Sequence, residues 1–128
     1  MVPGIPGMLL SLKEQGDALK ATELPDTPLI NVLPADDPFS TAHRASRTRY
    51  FTDQKLQRQV FNSSGVAKPT ILVNGQIVGV WTLQEDNGQQ EIRWKLLTEV
   101  DTAIHPLIHD ELQEIGTFLK PDTKIIRE

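Results

Sequence analysis

Cysteine is missing from this chain altogether. That removes any disulfide framework, any thiolate zinc site and any thiol nucleophile. It fits a cytoplasmic setting. No run approaches the roughly 18 to 20 apolar residues of a membrane-spanning helix. The opening stretch MVPGIPGMLL has no basic region and is broken by two prolines, so it does not read as a signal peptide. Positive charge is also short: 13 Lys and Arg stand against 17 Asp and Glu, for a net charge of −4. A stand-alone nucleic-acid binder relies on a basic face that releases counterions. The acidic balance argues against that class and leaves room only for a local patch. A Gly-rich phosphate loop and a Gly-x-Ser-x-Gly elbow are both absent. No complete catalytic constellation is visible, and no cofactor or metal is implied.

What is present suffices for one domain with a real core: 128 residues, 38% of them hydrophobic. The strongest local signal is Asn74-Gly75 between two apolar runs, because a two-residue type I′ turn needs φ > 0 at both positions. Pro69 opens the first strand, Thr70 to Val73, where a missing N–H is tolerated. The second runs from Gln76 to Gln84 and is apolar on both faces, which predicts a central strand or a small barrel. Gly79 within it suggests a bend or a close approach. Asp86-Asn87-Gly88 is a second turn, and Gln90 to Leu96 returns as a third strand. Upstream, Leu29 to Leu33 lies between prolines and reads as a short buried strand.

Residues 1 to 8 carry two Pro and two Gly and read as irregular. Gly16-Asp17 reads as a turn and Ala18 to Leu24 as a short strand. Residues 1–28 are therefore expected to be a lead-in to one domain over 29–128. Thr52-Asp53 caps a short helix over Gln54 to Phe61. Near the other end, Thr98 to Asp101 resembles a capping box ahead of an apolar stripe through Val100, Ile104, Ile108, Leu112, Ile115 and Leu119. Pro106 predicts a kink near Thr102 or a restart at His105. The tail, with Ile125-Ile126, reads as a short strand or ordered extension. The expected class is α+β: a curled antiparallel β-sheet or small β-barrel with a carboxy-terminal helix.

Four groups could carry chemistry. Asp36-Asp37 invites an acid/base reading, but paired aspartates beside prolines are usually turn residues. His105 and His109 share a helix face at zinc-binding spacing, but Asp101 or Asp110 could complete a site only if the fold brings them round, and two surface histidines are the better reading. Trp81 and Trp94 suit either base stacking or the core, and the core is the commoner fate. Residues 43 to 58 hold Arg44, Arg47, Arg49, Lys55 and Arg58 against Asp53 alone, with His43 alongside. That is either a basic patch or a solvated face.

The run Gly65-Val66-Ala67-Lys68-Pro69-Thr70-Ile71-Leu72-Val73-Asn74-Gly75-Gln76-Ile77-Val78-Gly79-Val80-Trp81 resembles the carboxy-terminal signature of a bacterial family. This is the winged-helix DNA-binding family that includes DNA glycosylases repairing bulky alkylpurine adducts and interstrand crosslinks. Leu33-Pro34-Ala35-Asp36-Asp37-Pro38-Phe39 resembles the family's Leu-Pro-x-aromatic-Asp stretch, departing at Asp36, where an aromatic is usual. Arg44, Arg47 and the ending through Phe118-Leu119 are also similar. The resemblance covers roughly residues 29 to 120, the last third of a typical member. The family's catalytic Gln-x-Gln lies near the amino terminus, in a part outside this chain; Gln57-Arg58-Gln59 has the same spelling elsewhere and does not take that role.

The resemblance implies a fragment, an excised domain or a stand-alone relic, inactive as a glycosylase alone. It implies double-stranded DNA as partner, met by Arg44, Arg47, Lys68 and the Asn74-Gly75 tip. The alternative is a protein-interaction or structural module that binds a winged-helix polypeptide or a second copy of itself. A hydrolase built on Asp36-Asp37 or the two helical histidines is the least favoured reading.

Overall fold

Asn74 and Gly75 adopt φ of 49° and 77°, and Asn87 and Gly88 adopt 50° and 78°. Both pairs have the positive φ values of a type I′ turn, whose twist matches that of the strands it joins. These four values come from a computed structural model that describes residue 8 and residues 10–128. The two turns link β2 (Thr70–Val73), β3 (Gln76–Asp86) and β4 (Gln89–Leu96) into the expected meander. Between Ile71 and Leu72 the β2–β3 register slips by one residue, which adds curl.

A fourth strand, β1 (Ile30–Leu33), pairs antiparallel with the free edge of β2, Ile30 opposite Val73. Asn74 fixes that register: its N–H donates to Leu29 O and its Oδ1 accepts from Leu29 N–H, each at 2.9 Å. The fifth strand, β5 (Lys124–Arg127), joins β4 in parallel, Ile92 opposite Ile125. Two expectations change here. The sheet has the open order β1-β2-β3-β4-β5, with β1 and β5 as its edges, so it is curled but does not close into a barrel. It is mixed rather than wholly antiparallel, because the chain reaches β5 through a helical crossover.

That crossover is α4 (His105–Leu119). Pro106 falls in its first turn, where the absent N–H has no partner to lose. A 3₁₀ turn at Thr102–Ile104 precedes it, capped by Asp101 Oδ1 accepting from Ala103 N–H at 2.9 Å. The restart at His105 is thus borne out, and the cap is Asp101 itself. Ile108 and Leu112 of α4 are fully buried on one sheet face with Ile71, Val73, Val78, Trp81, Ile92 and Trp94. The opposite face holds Leu72, Ile77 and Val80 under Tyr50, Phe51, Leu56 and Val60. Covered on both sides, β2 and residues 77–81 of β3 are buried throughout, as a central strand requires.

The cover on that second face is the segment between β1 and β2. It comprises α2 (Pro38–Thr41), a 3₁₀ helix at Arg44–Tyr50, a 3₁₀ turn at Gln54–Leu56 and α3 (Gln57–Val60). Residues Lys13–Ala21 form a helix, α1, rather than a turn followed by a strand. Glu14 in its first turn and Lys20 in its last favour it, each opposite in sign to the helix dipole it meets. It buries no side chain, so no hydrophobic pattern marked it in the sequence. The irregular start expected for residues 1–8 falls, apart from residue 8, outside the described residues.

Candidate nucleic-acid interface

Asp37 begins the covering segment by capping α2, its Oδ1 accepting from Phe39 N–H at 2.9 Å. The next turns are held from inside. Buried Ser46 donates to His43 O at 3.1 Å, and the Tyr50 hydroxyl donates to Phe39 O. These anchors leave Arg44 exposed and Arg47 half-buried on the outer side of one 3₁₀ helix.

Arg47 is tightly oriented. Its Nη2 donates to Thr41 O at 3.0 Å, and its guanidinium lies over the Phe61 ring with the carbon 4.4 Å from the centroid. Opposite it is the Asn62–Gly65 turn. There Asn62 Oδ1 accepts from the N–H groups of Ser64 and Val66, both at 2.9 Å, and Gly65 adopts φ of 84°. A β-carbon on Gly65 would sit 3.4 Å from Arg47 Nη1, so glycine keeps that face of the guanidinium open. Arg44, Arg47 and Arg58 then line a polar depression of about 240 Å³ with Gln57, Asn62 and Ser63.

The chain returns beside this depression. Lys68 N–H donates to Val60 O at 3.0 Å, and Ala67 exchanges two bonds with Asp36: Ala67 N–H to Oδ1 at 2.8 Å and Asp36 N–H to Ala67 O at 3.1 Å. Asp36 makes this clasp from the left-handed region, φ 56°. A second depression, sharing Arg58, Phe61 and Asn62 with the first, reaches Lys68. A third runs from Lys68 across the sheet face to Arg93, Lys95 and the one acidic residue on its wall, Glu128. Sheet pairing sets Arg93 and Lys95 in place, Val80 against Lys95 and Thr82 against Arg93.

The result is a stripe of adjoining hollows edged by Arg44, Arg47, Arg58, Lys68 and Lys95. Among the described residues the ion pairs are Arg93 with Glu91 and Glu128, and His109 with Asp110. Within that set, none of the five stripe cations has a carboxylate partner. On a chain of net charge −4, that local excess is a physical feature rather than an average.

Three of the residues singled out in the sequence, Arg44, Arg47 and Lys68, come together here. Asn74 and Gly75 do not. They sit at the far end of β2 from Lys68, on the order of 15–20 Å away at the usual strand rise, and the Asn74 amide oxygen is engaged by Leu29. Arg58 stood out in the sequence only as one member of a basic run, and Lys95 did not stand out at all. Both are recruited by folding, and no local pattern announces a cross-strand neighbour.

The other candidates resolve into structure. Both aspartates at 36–37 hold backbone N–H groups. His105 Nδ1 faces Arg127 Nη1 at 2.8 Å, and His109 neighbours Asp110. Among the described residues no group of three His, Asp or Glu is placed to hold a metal. Trp81 and Trp94 are cross-strand partners in the core, 9% and 3% exposed. The Trp81 indole donates to Leu33 O at 3.0 Å.

Comparison with known proteins gives one family and one fold. Residues 9–118 match the family described as DNA glycosylase AlkZ-like. No match was found among curated proteins. Among solved structures, the DNA glycosylase AlkZ of Streptomyces sahachiroi is similar, with a TM-score of 0.59 and 15% sequence identity. The likeness covers 91% of this chain and 30% of that one. At that identity it is a likeness of fold. The chain spans about 30% of the length of the structure it matches.

Proposed function

We propose that this chain, which belongs to the DNA glycosylase AlkZ-like family, is a DNA-repair module that binds the DNA backbone and leaves base excision to residues outside it. In this reading it corresponds to the carboxy-terminal region of a winged-helix glycosylase and works in the cytoplasm. The observation that carries the reading is the basic stripe of Arg44, Arg47, Arg58, Lys68 and Lys95, without carboxylate partners among the described residues, on a chain of net charge −4. Lysine and arginine beside hollows contact phosphates, which position a duplex without reading its sequence. The non-catalytic part is supported by the carboxylates: Asp36 and Asp37 are engaged by backbone N–H groups. No helix among the described residues is long and apolar enough to cross a membrane.

The test is binding to a labelled duplex by fluorescence anisotropy over a range of salt. Affinity should fall steeply as salt rises. Replacing Arg44, Arg58 and Lys68 together by Gln should flatten the log–log slope by roughly 2.7, at about 0.9 for each phosphate no longer neutralised. Binding indifferent to salt would sink the backbone-contact reading. Release of alkylated bases by the purified chain would sink the non-catalytic part. The Asn74–Gly75 tip stays outside this interface.

A second reading, a protein-interaction module, rests on the lead-in. Leu12, Leu19 and Leu24 are 67%, 73% and 82% exposed on and beside α1. Large exposed apolar side chains gathered on one segment are candidates for a contact surface. A sedimentation mass that rises with concentration and falls back on Leu12→Ser/Leu19→Ser substitution would favour it in its self-associating form.

A further inference from the structure

We propose that the depression between Arg44, Arg47 and Arg58 is a discrete oxyanion pocket that receives one phosphate group of a nucleic acid. The source of the phosphate rests on the DNA reading above; the pocket itself rests on geometry. Three arginines line one hollow of about 240 Å³, and among the described residues no carboxylate pairs with any of them. Their mutual repulsion is relieved by an anion placed between them. Arg47 Nε is buried and has no acceptor among the described residues. A buried donor on a charged group is costly to leave unbonded, and an anion beside the same guanidinium offsets part of that cost.

The pocket is also prepared for that ligand. Thr41 O and the Phe61 ring hold the Arg47 fork in one plane. A planar fork of fixed orientation suits bidentate contact with phosphate oxygens. Gly65 leaves Nη1 uncovered, and Gln57, Asn62 and Ser63 add polar groups to the rim. Simple attraction to a polyanion needs none of this orientation, and a stretch of exposed lysines would supply it equally well.

Two sources share the chemistry: an internal phosphodiester and a terminal phosphomonoester. Calorimetric titration of the whole chain with inorganic phosphate should show saturable binding. Arg47→Lys keeps the charge and removes the fork, and should weaken that binding at least tenfold. The pair Arg44→Gln/Arg58→Gln alters exposed side chains only and should do the same, which keeps the test decisive if the Arg47 variant fails to fold. Lys124→Ala, on β5, should match the parent.

No saturable binding, or equal binding by the parent and the Arg44/Arg58 pair, overturns the proposal. Anisotropy with duplexes bearing or lacking a 5′-phosphate then separates the sources. Preference for the phosphorylated end indicates the monoester, and equal affinity that still drops in the variants indicates the diester. Salt-sensitive DNA binding by a chain that shows no saturable phosphate binding, weakened in the variants only as far as their lost charge requires, removes the pocket and keeps the broader reading. Phosphate binding without DNA binding does the reverse.

Discussion

At Gly79 a β-carbon would lie 2.6 Å from the carbonyl oxygen of Lys95 on the neighbouring strand. The obstacle is backbone, so nothing flexible can yield. Gly79→Ala should destabilise the protein by about 1–3 kcal/mol, the usual cost of overpacking, read as a lower denaturant midpoint at unchanged slope. Asp36 offers a cleaner contrast. Its carboxylate accepts from Ala67 N–H while its backbone sits at φ 56°. Asp36→Ala loses the acceptor and strains the backbone, and should cost about 1–3 kcal/mol. Asn tolerates that φ and keeps an acceptor oxygen, so Asp36→Asn should melt close to the parent. A loss as large in Asn as in Ala would show that the negative charge, not the clasp, is what matters there.

Among the elements, α1 and the β2–β3 hairpin sit at opposite extremes of attachment. No side chain of α1 is buried, and a nine-residue helix is marginal in water by itself. We propose that residues 29–128 fold without the lead-in. Removing residues 1–28 should change stability by less than about 1 kcal/mol, as surface changes do, with a small loss of helical ellipticity; a collapsed melting transition would show that the lead-in is part of the core. The hairpin was legible in the sequence because turn chemistry is local: Asn74 and Gly75 announce their own φ. The restart of α4 at His105 was legible for the same reason, through Pro106. The parallel pairing of β5 was not, since Ile125-Ile126 carry apolar character but no mark of their partner Ile92-Arg93. Nor was α1, whose strand-like alternation at Leu19 and Ala21 meets no sheet that would bury it. The site divides likewise. Arg44 and Arg47 share one short helix and could be picked out together, whereas Arg58 and Lys68 meet only because the Asn62–Gly65 turn folds back.

Over the whole molecule, charge is separated by face. The stripe cations lie on one side, while Asp110, Glu111 and Glu114 stand exposed on α4, which packs against the opposite face of the sheet. Such a distribution orients a protein as it approaches a polyanion, and it acts on the association rate more than on the final complex. Lys68→Glu should therefore slow association with a duplex several-fold at low salt, and the difference should shrink as salt rises; an effect confined to dissociation would contradict steering. The cross-strand pairing of Trp81 with Trp94 has a use of another kind. They are the chain's two tryptophans, packed on adjoining strands, and the Trp81 indole also reaches β1 through Leu33. Intrinsic fluorescence thus monitors the joining of β1, β3 and β4, while far-UV ellipticity is weighted toward α4. The molecule carries its own pair of clocks, and whether they run together on unfolding tells whether sheet and helix form one cooperative unit.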